Sequence, residues 1–182
     1  MEKTKIACLG WGSLIWRPKD LLIQNKWFED GPLLPIEFTR ISNDDRATLI
    51  IDKDAQPVRT LWALMIPNTV KDCIKSLADR EGTNENIICQ VSTKDIPVDS
   101  NKIIIKEWLI NNNLDIAIWT GLSFSDKTNS IRPDIKSIIK HLDNLVGKKR
   151  TNAEEYIRKA PKQIDTEYRR MIEAKLGWTY IE

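Results

Sequence analysis

The chain of 182 residues is 41% hydrophobic and 30% charged with a formal net charge of +2, which excludes wholesale disorder and gives no reason, by charge alone, to expect a polyanion partner. That length suffices for one domain whose core needs no staples. The three cysteines, Cys8, Cys73 and Cys89, are odd in number and widely spaced in apolar stretches, the pattern of free buried thiols in a reducing compartment. The N-terminus alternates Lys3 and Lys5 with polar residues instead of carrying a signal-peptide core, and no later run could span a bilayer. A cytoplasmic protein without membrane partners is expected.

In chain order, the apolar run Ile6-Ala7-Cys8-Leu9 reads as a strand leading into Gly10-Trp11-Gly12-Ser13-Leu14-Ile15-Trp16. Two glycines one residue apart permit a sharp turn that leaves the next amides free to meet an anion. The same pattern also suits an ordinary turn after a strand, and it lacks the third glycine or Gly-Lys-Ser/Thr of a nucleotide loop. Pro18 fits the first turn of a helix running to about Lys26, with Leu21, Leu22 and Trp27 on its buried face, before Gly31-Pro32 breaks the pattern.

Strands are expected over 34–41, 47–51 and 58–66, separated by Asn43-Asp44-Asp45 and Asp52-Lys53-Asp54, and together they form an antiparallel heart. Pro67-Asn68-Thr69 opens a helix with Val70, Cys73, Ile74 and Leu77 at helical spacing, stopped by Gly82. A strand over 87–91 follows. Asp99-Ser100 suits the cap of a helix carrying Ile104, Trp108 and Leu109, although the run Ile103-Ile104-Ile105 also suits a strand. Residues 114–119 read as a strand and 125–130 as a polar loop. Pro133-Asp134 introduces an amphipathic helix with Ile135, Ile138, Ile139, Leu142 and Val146 on one face, closed by Gly147. Lys148-Lys149-Arg150 begins a charged section with helices over 153–159 and 164–176 around Pro161. The organisation expected is a single domain, 1–182, with a core over 1–130 and a helical C-terminal appendage over 131–182.

The single histidine, His141, falls on the polar side of its helix, and the cysteines lack metal-ligand spacing, so neither a histidine-based triad nor a zinc site is indicated. Neither metal nor cofactor is expected. Carboxylates are then the natural proton carriers, and Glu81, in Leu77-Ala78-Asp79-Arg80-Glu81-Gly82, is the sharpest candidate. It sits at a helix end whose carbonyls disfavour an anion, with Asp79 nearby. One reading has both carboxylates solvated, with Arg80 softening the field, at about 0.3–1 kcal/mol. The other has Glu81 partly buried and able to carry a proton near neutrality.

Gly12-Ser13-Leu14-Ile15-Trp16-Arg17-Pro18 resembles the signature loop of the γ-glutamylcyclotransferase-like superfamily, which usually reads Tyr-Gly-Ser followed by Asn or Leu; the Leu-Ile-Trp-x-Pro continuation most resembles its ChaC-like, glutathione-acting branch. Asp44-Asp45-Arg46-Ala47-Thr48 is similar to that branch's Asp-His-Arg-Gly-Thr. Pro57-Val58-Arg59 falls where Pro-x-Arg or Gly-Arg is expected, and Leu77-Ala78-Asp79-Arg80-Glu81-Gly82 resembles the segment with the catalytic glutamate. These four matches stand in family order and cover roughly residues 5–95. The section from about Pro133 resembles no family segment.

The resemblance implies an α+β fold, a small mixed, mostly antiparallel β-barrel with surrounding helices. It implies release of 5-oxoproline from a small γ-glutamyl amine or peptide without a cofactor. Carried onto this chain, Trp11, Gly12, Ser13 and Leu14 would hold the γ-glutamyl part and Glu81 would move the proton; Arg46 or Arg59 could pair with a substrate carboxylate, although an arginine on a strand is more often solvated or salt-bridged. Trp11 replaces the family's tyrosine, exchanging a hydroxyl for an indole that can only donate, and Ala47 replaces a glycine. The alternative is a non-catalytic module of the same fold that binds a small ligand or a protein. Nucleic-acid binding by Lys148, Lys149, Arg150, Arg158, Lys159, Arg169 and Arg170 is opposed by the interspersed Glu154, Glu155, Glu167 and Glu173, which read as an ordinary mixed surface.

Overall fold

The computed structural model describes residues 3–182. The chain forms an α+β fold, with seven strands and five α-helices among the described residues, sorted into two compact units. The first unit gathers Met1–Gly10, Arg17–Leu34 and Arg59–Gly121; the second gathers Trp11–Trp16, Pro35–Val58 and Leu122–Glu182.

The first unit is built on a four-stranded sheet in the order β5 (Leu61–Leu64), β1 (Ile6–Gly10), β7 (Ile116–Thr120), β6 (Ile88–Ser92). All five residues of β1 are buried, as befits an interior strand paired antiparallel to β5 and parallel to β7. Helices α1 (Val70–Glu81) and α2 (Ser100–Asn111) both pack on β6 and β7. In α1 the expected punctuation is present at both ends. Thr69 accepts the Asp72 amide, and Gly82, at φ 64, occupies the left-handed position that lets Gly82 and Thr83 donate back to Asp79 and Ala78. The ambiguous run at 103–105 is helical, because Asp99 caps α2 through the Lys102 amide at 2.9 Å.

The second unit holds the three-stranded sheet β3 (Ala47–Ile51), β2 (Leu33–Ile41), β4 (Pro57–Arg59), apart from the ends of β2 and β4, which pass to the first unit. Helices α3 (Ile135–Asp143), α4 (Gly147–Lys159) and α5 (Glu167–Leu176) complete it; α4 packs on β3, and α3 on α4 and α5. A buried polar network ties α5 to β2. Glu37 accepts the Phe38 amide at 2.9 Å and the Tyr168 amide at 3.2 Å, and the Tyr168 hydroxyl receives Arg132, whose Nε pairs with buried Asp52 at 2.7 Å. Burial pushes the Glu37 carboxyl up from its ordinary range, opposed by hydrogen bonds from Thr166, Phe38 and Tyr168.

Four expectations change. No helix spans 18–26. Gln24 instead donates to Leu64 O at 2.8 Å, Ile66 to Leu22 O at 2.9 Å, and Phe28 and Trp62 exchange amide bonds. The segment runs along the free edge of β5, and backbone groups spent there are unavailable to a helix. The strand expected over 58–66 breaks at buried Thr60, whose N–H and hydroxyl both reach Pro32 O, leaving β4 and β5 in different sheets. The sheets also differ from the expected barrel: β5 and β6 end one sheet, β3 and β4 the other, and neither closes on itself among the described residues. Finally, α3 stops at Asp143, where the Arg150 guanidinium binds the carbonyls of Leu142 and Asp143; Gly147 begins α4, and Val146 is exposed. Among the described residues, no helix is long and apolar enough to cross a membrane.

Candidate functional site

The glycine loop leaves the end of β1 and folds within the second unit. The Ile15 amide donates to Gly12 O at 3.0 Å, closing the turn. Trp11, Gly12 and Leu14 are buried, and Ser13 is half-buried. The Trp11 indole donates to Leu49 O on β3 at 3.3 Å.

The side chain around which this loop is built comes from α4. The Tyr156 hydroxyl lies so close to Gly12 that a β-carbon there would collide with it, and it accepts the Leu49 amide at 3.4 Å. Trp16 meets the Tyr156 ring edge-on at 5.6 Å between centroids and Phe38 at 6.3 Å. The Arg46 guanidinium stands 5.1 Å from its centroid while pairing with Asp44 at 2.7 Å. Trp11, Gly12 and Arg46 are thus brought into one cluster. The sequence reading missed Tyr156, although Ala153, Tyr156, Ile157 and Ala160, all buried, repeat at helical spacing and mark the inner face of α4.

The turn before Arg46 is fixed by ion pairs. Asp45, at φ 69, binds Lys127 at 2.5 Å and Lys149 at 2.7 Å, and His141 Nε2 lies 2.8 Å from its carbonyl oxygen. The Lys127 and Lys149 contacts hold its carboxyl down at about 2. Other cations of the C-terminal section are also engaged: Arg158 with Glu154, Lys159 with Glu155, Arg170 with Asp165, and buried Arg169 with Glu173 and the carbonyls of Ala160, Pro161 and Ile164.

Glu81 and Arg59 belong to the first unit. Glu81 closes α1 with its side chain 21% exposed, and Oε1 receives Arg80 Nη1 at 2.5 Å. The other terminal nitrogen of Arg80 donates to Arg17 O at 2.6 Å, so the guanidinium is anchored at both ends and its side chain is 6% exposed. This pairing offsets the unfavourable field of the helix C-terminus on the carboxylate. Burial, with the Glu81 charge adding, pushes the Cys8 thiol far up. Arg59 is exposed at the end of β4 and donates to Gly31 O at 3.1 Å.

Cys8, Cys73 and Cys89 are free thiols, and Cys73 is pushed up to about 11, chiefly by burial. Among the described residues, no three His, Cys, Asp or Glu side chains gather in a group that could hold a metal ion. Compared with known proteins, the chain matches no family model, no curated protein and no solved structure.

Proposed function

We propose that this chain is a γ-glutamylcyclotransferase-like enzyme, of that fold family and of the cytoplasm, which releases 5-oxoproline from a small γ-glutamyl amine or peptide. The observation that carries the reading is Glu81, fixed by an anchored guanidinium and still partly open to solvent. The other carboxylates described above suit the role less well. Glu37 is 2% exposed with both oxygens bound, Asp52 is sealed against Arg132, and Asp45 is doubly paired and too acidic to carry a proton at neutrality. The four family-like segments, in family order, are the second support.

In this reaction the substrate α-amine attacks its own γ-carbonyl. A carbon–nitrogen bond forms to close the five-membered lactam, and the original amide bond breaks to release the amine. Proximity within one molecule supplies the drive, so no side-chain nucleophile is required. Glu81 takes the proton from the attacking nitrogen and returns it to the departing one. The resemblance assigns the γ-glutamyl part to Gly12, Ser13 and Leu14, with Trp11 beside them, and a substrate carboxylate to Arg46 or Arg59.

A second reading, a non-catalytic module that binds a small ligand, is favoured by Trp11, whose indole N–H is spent on Leu49 O instead of offering a hydroxyl to a substrate. Assay of 5-oxoproline release from glutathione and a panel of γ-glutamyl amino acids separates the two. The enzyme releases it and Glu81→Gln does not. Binding by both forms without release by either establishes the module, and full activity in Glu81→Gln sinks the proposed role of the glutamate.

A further inference from the structure

Trp11 and Tyr156 each take one backbone polar group of the same residue: the indole donates to Leu49 O, and the phenol hydroxyl accepts the Leu49 amide. Leu49 lies on β3, an edge strand, so the loop and α4 together cover a sheet edge that would otherwise face outward. The ring of Tyr156 is fixed by Trp16, Phe38 and Arg46 on three sides. A β-carbon at residue 12 would collide with its hydroxyl, so glycine there leaves the hydroxyl its place beside the loop.

We propose that Tyr156 is the positioning residue of the glycine loop: its hydroxyl, seated between Gly12 and the Leu49 amide, sets the loop for a γ-glutamyl ligand. This rests on the reading of the loop as the part that holds the γ-glutamyl group. Backbone amides bind a small polar group well only when their geometry is fixed beforehand, since a loose loop must be ordered at the expense of affinity. Tyr156 supplies that fixing from a C-terminal helix outside the family-like segments, and it restores a tyrosine hydroxyl to a loop in which Trp11 stands at the tyrosine position.

The test combines Tyr156→Phe, Gly12→Ala and the double variant in the full chain. Two readouts are taken: the Kd of glutathione and γ-glutamyl amino acids from the fluorescence of the loop tryptophans, and 5-oxoproline release measured separately. Tyr156→Phe weakens binding about 3- to 10-fold, the equivalent of one net hydrogen bond. If the enzyme turns over, KM rises by the same factor with kcat nearly unchanged, because the loop holds the same group in ground and transition states. Gly12→Ala weakens binding strongly in the parent and less in the Tyr156→Phe background, where the colliding oxygen is gone. An unchanged Kd in Tyr156→Phe, a lowered Tm with Kd intact, additive effects in the double variant, or no binding of any probe by the parent would each overturn the inference. Binding without release overturns only the enzymatic reading and leaves the inference to be decided by Kd. Should Tyr156→Phe fail to fold, Gly12→Ala alone carries the test, and parent-like Kd in that variant overturns the inference.

Discussion

The Oε2 atom of Glu37 accepts the backbone N–H of Tyr168, 131 positions further along the chain, at 3.2 Å. The other oxygen accepts the Phe38 amide, so both carboxylate oxygens face N–H donors. An amide side chain cannot reproduce this, because one of its ends is itself a donor. Glu37→Gln therefore leaves a buried N–H unsatisfied and lowers unfolding free energy by about 1–3 kcal/mol, measured as a shift of the urea midpoint. Parent-like stability would remove the network from the account of how α5 is held.

The pH dependence of stability has two limbs of opposite sign. Glu37 is held above its ordinary value of 4.5 by burial, so between the unfolded and folded values the native state binds the proton that the unfolded chain has lost. Stability from this group is present at low pH and declines as pH rises through the folded value. Asp45 lies at about 2 against an ordinary 3.8, because Lys127 and Lys149 bind it. Its contribution is present above 3.8 and is lost as pH falls towards 2. Thermal melts across the acid range are expected to lose the lower limb in Asp45→Asn and keep it in Glu37→Gln.

Glu81→Gln keeps the shape of the side chain but removes its capacity to take up and return a proton. Under the proposed cyclotransferase reading, loss of the general acid/base costs about 100- to 10,000-fold in rate, whereas Tm falls only in part, because the buried Arg80 loses its carboxylate partner but keeps Arg17 O and can still donate to the glutamine oxygen. Rates of 5-oxoproline release together with Tm distinguish lost chemistry from lost fold. A variant that loses both in parallel would mark Glu81 as structural.

The three thiols differ in access. Cys8 and Cys73 are buried, and Cys89 is half-buried. Burial also pushes up all three, Cys8 furthest, so little thiolate exists at neutral pH. A thiol reagent is expected to react slowly with the native chain, at Cys89 first, and with three equivalents in denaturant. Rapid labelling of Cys8 in the native protein would contradict its sealed position.

The local punctuation of this chain was determined by its sequence. Thr69 and Gly82 bound α1, Asp99 starts α2, and the turn residues between β2 and β3 separate strands whose limits fall within one residue of those expected, because caps and turns depend on neighbours a few positions apart. The glycine loop and Glu81 were visible for the same reason, as short motifs. What only tertiary structure decided depends on partners far away in sequence. The segment after Pro18 gives up its helix because β5 offers an open edge. The strand over 58–66 divides because Thr60 is bound to Pro32. Tyr156 is a buried residue of a charged helix until folding sets its hydroxyl against Gly12, a contact between residues too distant for any local pattern to encode.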